Sequence, residues 1–240
     1  MKPVIVKEIP RSPKDPERVK ELLNYGVATI AESQEKLGLL GPNIRPIQPG
    51  LKAAGTAITV RCSDGDNLML HAAVEIAKPG DVIIMTTISG TANGVFGELL
   101  ATSFKVRGIS AFITDSGVRD VSKLREMKYP VWSKYITAVG TSKNRPGWIN
   151  VPITIEGVIV KPGDFVLADD DGVVIVPREE IDEVLVRAKE REEKENEVRK
   201  RLLNGELSLD IYNFRRIISE LGIKYMKNLD ETTNKLDKNI

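Results

Sequence analysis

The sequence has very few residues of the types that build disulfide frameworks and zinc sites. Among its 240 residues there is one cysteine, Cys62, and one histidine, His71. A single cysteine cannot form a disulfide within the chain, which excludes a secreted fold held by internal disulfides. A single histidine excludes sites in which one chain supplies two or three histidine ligands, and a Ser-His-Asp triad would have to use His71 itself. We therefore expect any catalytic site to use carboxylates, arginine, lysine and backbone amides, with a hard metal ion as a further component.

Long apolar runs and an excess of charge of one sign are also missing. No stretch of 18 apolar residues is present, so no membrane-spanning helix is expected. The N-terminal segment lacks the apolar stretch and the cleavage site of a signal peptide. Lys and Arg total 35 against 34 Asp and Glu, and a formal net charge of +1 gives no whole-protein field for nucleic acid or an anionic membrane. We expect a cytoplasmic protein that binds neither nucleic acid nor a membrane.

The most regular part of the sequence lies between residues 82 and 120. The run VIIMTT (82–87) is typical of a buried strand, and ISAFITD (109–115) is typical of a second one. Between them, GELLATSFKVRG (97–108) has the pattern of an amphipathic helix that ends at a glycine. Because a strand, a helix and a strand joined by short loops form a βαβ unit, these two strands should be parallel. The sequence therefore predicts an α/β fold.

Further helices and strands are predicted on both sides of this unit. Helical spacing or β-branched composition marks a helix at 16–37, a strand at 55–62, a helix at 68–77, and strand-like runs at 151–160, 164–169 and 173–177. The last two runs flank Asp170-Asp171-Gly172, which is a good hairpin signal.

The C-terminal part is predicted to be helical, over residues 178–205 and 208–222. Residues 189–201 are almost all charged, so this part of the long helix should project from the core or cross to another subunit. We therefore expect one α/β catalytic domain over residues 1–188 and an extended, charged helical arm over 189–240 that lies between subunits of a homo-oligomer.

The loops that leave the two central strands carry the best candidates for a site. In parallel α/β units, ligands bind where the strands end at their carboxyl side. One loop ends at Gly97, and the unpaired amides from Gly97 to Leu100 at the start of the predicted helix would attract a carboxylate or a phosphate. Glu98 is in that first turn, and the second loop carries Asp115, Arg119 and Asp120. Asp120 suits Mg²⁺ or Mn²⁺, Arg119 suits an oxyanion, and Glu98 suits proton transfer through a bound water.

A purely structural interpretation of the same residues is also open. Glu98 would then complement the helix dipole, beside an Arg–Asp turn on the surface. His71 is interpreted as a structural histidine on an apolar helix face, and Cys62 as inert packing. The Gly-rich loop at 89–96 matches neither G-x-G-x-x-G nor a P-loop, which disfavours dinucleotide and ATP binding.

The segment GELLATSFKVRGISAFITDSGVRD (97–120) resembles the family that contains 4-hydroxy-4-methyl-2-oxoglutarate aldolase and the regulator of ribonuclease activity A. The aldolase branch is marked by an acidic residue, twenty intervening residues and Arg-Asp, which Glu98, Arg119 and Asp120 match. The resemblance covers roughly residues 20–215 and several blocks in family order. It implies a swivelling β/β/α fold, a homotrimer or homohexamer, and a class II, divalent-metal-dependent pyruvate aldolase.

The resemblance also implies a role for each matching residue. Asp120 would ligate Mg²⁺ (or Mn²⁺), and a 2-oxo acid would chelate the metal through its keto and carboxylate oxygens. Amides across Gly97, Glu98, Leu99 and Leu100 would hold the carboxylate, and Arg119 would stabilise the enolate. Glu98, through a metal-bound water, would supply or remove the proton. Decarboxylation of oxaloacetate passes through the same pyruvate enolate and is the expected side activity.

Two positions depart from the aldolase pattern or extend it. An acidic residue often stands three positions after the metal-binding Asp, and this chain has Lys123 there. Family aldolases also use an acidic residue from a neighbouring subunit's C-terminal arm, for which Glu195 is a candidate. The first hypothesis is a lyase that releases pyruvate from a 4-hydroxy-2-oxo acid. A non-catalytic protein that regulates a ribonuclease, and sugar-acid chemistry in the same pocket, are the alternatives.

Overall fold

The computed structural model describes residues 2–226, which fall into two compact units, the first ending at Glu190 and the second beginning at Arg191. The roles expected of residues 1–188 and 189–240 stay predictions, and residues 227–240 of the expected arm lie outside the described residues. None of the helices in the described part combines the length and the apolar composition that a membrane span requires.

Every strand in the described part of the chain, and most of its helices, belong to the first unit. The strands are β1 (Val4–Ile5), β2 (Arg45–Pro46), β3 (Ala53–Cys62), β4 (Val82–Thr87), β5 (Gly94–Phe96), β6 (Ala111–Val118), β7 (Val131–Ile136), β8 (Trp148–Ile149), β9 (Ile153–Ile155), β10 (Val158–Val160), β11 (Phe165–Asp169) and β12 (Gly172–Val176). The helices among residues 2–226 are α1 (Asp15–Leu22), α2 (Val27–Ser33), α3 (Leu68–Ile76), α4 (Glu98–Val106), α5 (Val121–Glu126), α6 (Ile181–Leu203), α7 (Ser208–Ile211) and α8 (Phe214–Glu220).

A parallel β3–β4–β6–β7 array forms the centre of the main sheet, which runs in the order β1-β8-β3-β4-β6-β7-β2. The βαβ prediction is confirmed, since β4 pairs in parallel with β6 and α4 lies between them in the chain. The long strand β3 changes partners along its length. Residues 53–56 pair with β11, whereas residues 57–62 pair with β4, so β3 belongs to two layers.

Three apolar clusters separate four layers of secondary structure in the first unit. Because successive side chains of a strand point to opposite faces, Ile83 and Phe112 pack with α3, α4 and α5 on one face, whereas Ile84 and Ile113 face β9–β12 on the other. A third cluster joins the outer face of β11 and β12 to α1, α2 and the start of α6. The mixed α/β class is confirmed, and the swivelling arrangement stays a prediction.

Three predicted elements are divided in the structure, each by a specific backbone feature. The helix expected over 16–37 breaks into α1 and α2, because the Asp169 carboxylate accepts the backbone N–H of Val27 (2.8 Å) and starts a new helix there. The strand-like run 151–160 is the β9–β10 hairpin, which turns at Glu156 and Gly157 with φ of 45° and 82°. The helix expected over 208–222 is divided at Asn213, where φ is 56°.

The second unit consists of the end of α6 together with α7 and α8. Tyr212 and Phe214 stack with their ring centroids 5.1 Å apart. Arg201 pairs with Glu206, and Arg215 with Asp210, so charged contacts hold the turns of this unit. Its surface carries exposed apolar side chains: Leu203, Leu207, Ile217, Leu221, Ile223 and Tyr225. That this unit lies between subunits stays a prediction.

Candidate active site

Two loops meet at the carboxyl ends of β4 and β6. The short strand β5 pairs with the end of β6, and the Arg119 N–H donates a hydrogen bond to the Phe96 carbonyl (2.9 Å). The Glu98 N–H then donates to Oδ2 of Asp120 (3.2 Å). These two bonds place the start of α4 directly beside the Arg119-Asp120 pair.

Gly97 allows this close approach because it has no side chain. A Cβ at Gly97 would lie 2.4 Å from Oδ2 of Asp120, which is too close for a real contact, and 3.0 Å from Cγ of Arg119, which is unusually tight. The helix α4 starts after this glycine, which has no side chain to cap the N-terminus. The Glu98 N–H is already used by Asp120, so the amides of Leu99 and Leu100 are the ones that α4 offers to an anion.

Asp120 has an unusual backbone and an available carboxylate. Its φ of 55° places it in the left-handed region, which Asp tolerates better than most residues. Although it stands at the N-terminus of α5, its carboxylate does not cap that helix and reaches across to Glu98 instead. Within residues 2–226 no hydrogen bond ends on Oδ1 of Asp120. Arg119 Nε lies 3.8 Å from Oδ2, and with side chains 45% and 47% exposed the two form a weak pair that a ligand can separate.

The two loops open into one cleft of about 100 Å³. It is lined by Asn67, His71, Gly94, Val95, Gly97, Leu99, Leu100, Arg119, Asp120 and Lys143. Five of the six site residues predicted from the sequence are in this lining, namely Gly97, Leu99, Leu100, Arg119 and Asp120.

Glu98 differs from the other five predicted residues. Its backbone N–H contacts Asp120, but its half-buried side chain is not part of the cleft lining.

Lys123, which stands where the aldolase pattern often has an acidic residue, pairs with Glu126 (3.0 Å), and this pair raises the pKa of Lys123. Glu195 lies on α6 in the second unit and pairs with Arg191 (2.8 Å). The functional roles given to these residues stay predictions.

Sequence reasoning missed three polar residues of the cleft: Asn67, His71 and Lys143. The expectation that His71 lies on an apolar helix face is wrong, since its side chain is exposed at the cleft. Its interpretation as a structural histidine stays a prediction. Partial loss of solvent around the imidazole and then the nearby positive charge of Lys143 lower the pKa of His71, which favours the neutral imidazole. The sequence signal that could have identified two of these residues is the four-residue spacing of Asn67 and His71, which puts both on one face of α3.

Asp115 and Cys62 are both buried. Strand β6 extends through Val118, so Asp115 is inside a strand rather than in the predicted loop. It points to the same face as Ile113, away from the cluster that borders the cleft, and accepts a hydrogen bond from Thr86 (2.7 Å). Burial raises the pKa of Asp115. Burial also raises the pKa of the Cys62 thiol to about 12, which agrees with its interpretation as inert packing.

The cleft offers a magnesium ion one carboxylate, and not an enclosing set of protein ligands. Among residues 2–226 there is no group of three or more His, Cys, Asp and Glu side chains that could enclose a metal. Mg²⁺ commonly binds through one or two carboxylates and keeps several waters or substrate oxygens. The Asp120 carboxylate, with its free Oδ1 at an open cleft, fits that kind of site. It does not fit zinc, which requires three or four protein donors.

Asp66 anchors the loop that brings Lys143 to the cleft. Its Oδ2 accepts hydrogen bonds from Ser142 Oγ (2.8 Å) and from the backbone N–H groups of Asn144 (2.8 Å) and Arg145 (3.1 Å). Its Oδ1 accepts the N–H of Leu68 (2.8 Å). Burial opposes ionisation, but these hydrogen bonds outweigh it and lower the pKa of Asp66.

We expect Asp66→Asn to lower the free energy of unfolding by about 1–3 kcal/mol at pH 7, because one amide cannot accept from all four donors. The pKa of Asp66 is lower in the folded state than in the unfolded state, where it is about 3.9. The stability that the ionised carboxylate contributes is therefore complete above the unfolded-state pKa and is lost as the pH falls through the folded-state pKa. Urea unfolding at pH 7 and near pH 3 tests this, with the turn variant Asp171→Asn as control. A difference that does not shrink in acid would contradict the assignment.

Comparison with known proteins agrees with the motif. The RraA-like family model, described as Aldolase/RraA, matches residues 27–175, which is more than half of the chain. The chain belongs to the Aldolase/RraA family. An uncharacterized protein of Methanocaldococcus jannaschii is 32% identical over 80% of this chain and 92% of its own length. A protein of Halalkalibacterium halodurans with the provisional name 4-hydroxy-4-methyl-2-oxoglutarate aldolase is 31% identical over 73% of this chain and 83% of its own.

Solved structures share the fold of this chain. Streptomyces coelicolor RraAS2, described as an unusual member of the RNase ES inhibitor RraA protein family, matches with a TM-score of 0.69 and 30% identity over 78% of this chain and 98% of its own. An uncharacterized protein from Pseudomonas syringae matches with a TM-score of 0.74 and 24% identity, over 83% of this chain and 94% of its own. The resemblance predicted from residues 97–120 is thus confirmed at the level of family and fold.

Proposed function

We propose that this protein is a divalent-metal-dependent lyase that cleaves a 4-hydroxy-2-oxo acid of the 4-hydroxy-4-methyl-2-oxoglutarate type and releases pyruvate. The observation that carries the proposal is that Asp120, Arg119 and the start of α4, with the amides of Leu99 and Leu100, meet in one cleft. An oxygen ligand, a cation and an anion-binding helix terminus are the three parts that binding and activating a 2-oxo acid requires. The provisional aldolase names among the relatives support the same class of reaction.

Asp120 would hold Mg²⁺ or Mn²⁺ through Oδ1, since its Oδ2 already accepts the Glu98 N–H. Such an ion, when bound, supplies Lewis-acid polarisation of the substrate's keto group. The left-handed backbone of Asp120 directs its carboxylate away from α5 and into the cleft, which is why this residue, rather than a residue within α5, is the proposed ligand.

The start of α4 and Arg119 would bind the two ends of the 2-oxo acid group. The free amides of Leu99 and Leu100 would hold the C1 carboxylate, as helix N-termini do for anions. Cleavage breaks the bond between C3 and C4, and the C4 hydroxyl becomes a carbonyl as it loses its proton. The electron pair stays on the pyruvate fragment as an enolate, whose oxygen Arg119 would stabilise with its guanidinium. Oxaloacetate would reach the same enolate by losing CO₂, so we propose its decarboxylation as a side activity.

Glu98 would move the protons of this reaction. Its carboxylate is half-buried in the first turn of α4 and outside the cleft lining, so we propose that it exchanges a proton with the substrate through an intervening water. The same group would take the proton from the C4 hydroxyl and return one to C3 of the enolate. We also propose a homotrimer or homohexamer, with Glu195 as a candidate contribution to a neighbouring site.

Removal of the metal should abolish pyruvate release. We expect EDTA to stop turnover and Mg²⁺ or Mn²⁺ to restore it, and Asp120→Asn to reduce kcat/KM by at least about 100-fold, since a catalytic metal supplies several kcal/mol. The amide oxygen of that variant still accepts the Glu98 N–H, so the fold should persist. A coupled pyruvate assay with 4-hydroxy-4-methyl-2-oxoglutarate measures this, with Asp171→Asn as the matched control. Full turnover in EDTA would contradict the proposal.

A second candidate is a non-catalytic protein that regulates a ribonuclease. It is favoured by the likeness to Streptomyces coelicolor RraAS2, described as an unusual member of the RNase ES inhibitor RraA protein family. The complete Glu98–Arg119–Asp120 spacing favours the enzyme, because a binding protein has no need of it. Stable co-purification of a ribonuclease with protein that releases no pyruvate would support the second candidate. Sugar-acid chemistry in the same cleft would appear as turnover in a wider acid panel.

A further inference from the structure

A groove of about 300 Å³ lies at the edge of the main sheet where β2 pairs with β7. It shares no lining residue with the candidate active site. Three cationic side chains line it, Arg45 on β2, Arg125 on α5 and Lys134 on β7, and none of the described residues in its lining is acidic. Apolar side chains complete the groove, namely Pro46, Ile47 and Ile136.

Backbone carbonyl groups hold the two arginines of this groove in place. The Nε of Arg125 donates a hydrogen bond to the Ile47 carbonyl (2.8 Å), and the Nη1 of Arg45 donates one to the Asp171 carbonyl (3.2 Å). A carbonyl group orients a guanidinium but does not cancel its charge. Since a guanidinium has five N–H donors, each of these two arginines keeps most of its donors for a ligand.

The third cation of the groove, Lys134, is already neutralised. Its ammonium group pairs with Glu156 (2.7 Å) and lies 5.6 Å from the centroid of the Tyr135 ring. Neither Arg45 nor Arg125 has such a carboxylate partner in the part of the chain that the structure describes. The positive charge that the groove offers to a ligand therefore comes from these two arginines, and it favours an anion.

The arrangement of the donors favours a phosphate group over a carboxylate. One forked guanidinium occupies both oxygens of a carboxylate, whereas a phosphate group has three terminal oxygens and up to two negative charges, which suits two guanidiniums. The groove is also large enough for more than a phosphate ion, since small-molecule pockets start at about 300 Å³. The Tyr135 ring in its lining is 38% exposed and offers a flat apolar surface to the rest of the ligand.

We propose that Arg45 and Arg125 form a binding site for the phosphate group of a small phosphomonoester, whose organic part lies against Ile47 and the Tyr135 ring. The site is separate from the cleft of the proposed lyase, and it does not depend on that function. The ligand class is thus a small molecule with one dianionic end and one apolar or aromatic end.

Calorimetric titration with phenyl phosphate tests the site. The full-length protein is used at low ionic strength and without added metal, so that no metal ion recruits the phosphate. We expect saturable binding to one site per chain, weakened at least about tenfold by Arg45→Met and by Arg125→Met. Benzoate, which keeps the ring but has a carboxylate, should bind at least about tenfold more weakly. Equal affinity for benzoate and phenyl phosphate would overturn the assignment to a phosphate group.

Inorganic phosphate distinguishes the two sources of the anion. It should displace phenyl phosphate from the groove but bind about tenfold more weakly, because it has no ring to place on Tyr135. If free phosphate bound as tightly as phenyl phosphate, the proposed phosphomonoester would be wrong. If Arg45→Met changed the oligomeric state in size-exclusion chromatography while the wild type bound no phenyl phosphate, the groove would be a contact between subunits, and the proposal would be overturned.

Two control variants place the binding in the groove. Arg119→Ala removes the cation of the candidate active site and should bind phenyl phosphate as the wild type does, and so should Arg107→Met, an exposed arginine outside both cavities. Loss of binding in Arg119→Ala alone would move the ligand to the cleft and overturn the proposal. Since Arg125→Met also loses the bond to Ile47, thermal unfolding checks its fold. Arg45→Met leaves that bond in place, and wild-type affinity in this variant would overturn the site.

Discussion

Arg119→Ala should reduce pyruvate release by about 100-fold to 1,000-fold, which corresponds to about 2.7–4 kcal/mol of transition-state stabilisation. In the proposed reaction the negative charge on the enolate oxygen develops only as the bond between C3 and C4 breaks. The loss should therefore fall on kcat much more than on KM. Because the Arg119 side chain is 45% exposed and only weakly paired with Asp120, its removal should leave the fold intact.

Two further variants test whether the effect is specific to the guanidinium group of Arg119. Arg119→Lys keeps the positive charge but loses the planar, forked donor set, so we expect only partial activity, at least about tenfold below wild type. Arg107→Ala, at the other end of α4, removes an exposed arginine outside the cleft and should leave kcat unchanged. Thermal unfolding of all three variants checks that the fold persists. Wild-type kcat in Arg119→Ala would remove this residue from the mechanism.

Phe96→Ala should lower the free energy of unfolding by about 3–5 kcal/mol. The Phe96 ring is fully buried and lies with its centroid 4.2 Å from that of Phe112 in a stacked arrangement and 5.0 Å from that of Phe104 edge-on. The ring thus holds β5, whose last carbonyl accepts the Arg119 N–H. Because the same residue supports the core and the junction of the two site loops, activity should fall together with stability. Denaturant unfolding followed by the fluorescence of the buried Trp132 measures the change.

The cavity that Phe96→Ala leaves in the core is the expected cause of the lost stability, and two further variants separate this cause from others. Phe96→Leu keeps most of the volume and should cost much less than the alanine variant. Val106→Ala, on the exposed face of α4, should change stability by no more than about 0.5 kcal/mol. If the leucine and alanine variants at position 96 lost equal stability, ring packing would not be what holds β5.

The central fold was predictable because its pattern is local and strong. The runs 82–87 and 109–115 are continuous and β-branched, and the short loops around the intervening helix leave a parallel pair as the natural connection. The predictions failed where a distant residue decides the local structure. Asp169, more than 140 residues away, starts α2 at Val27, and no helical periodicity in residues 16–37 reports that contact.

The candidate site, like the fold, was predictable from the sequence only in part. The sequence by itself determined the family, the βαβ unit and the spacing of Glu98, Arg119 and Asp120, because spacing and strand pattern are properties of neighbouring residues. Only the tertiary structure decided that the Glu98 side chain lies outside the cleft lining while Asn67, His71 and Lys143 lie in it. The physical reason is that this wall is assembled by non-local hydrogen bonds, from Asn67 to Val95 and from the 142–145 loop to Asp66. The scarcity of histidine and cysteine thus predicted a site of oxygen ligands, amides and cations, and the folding of the chain decided which of these residues face it.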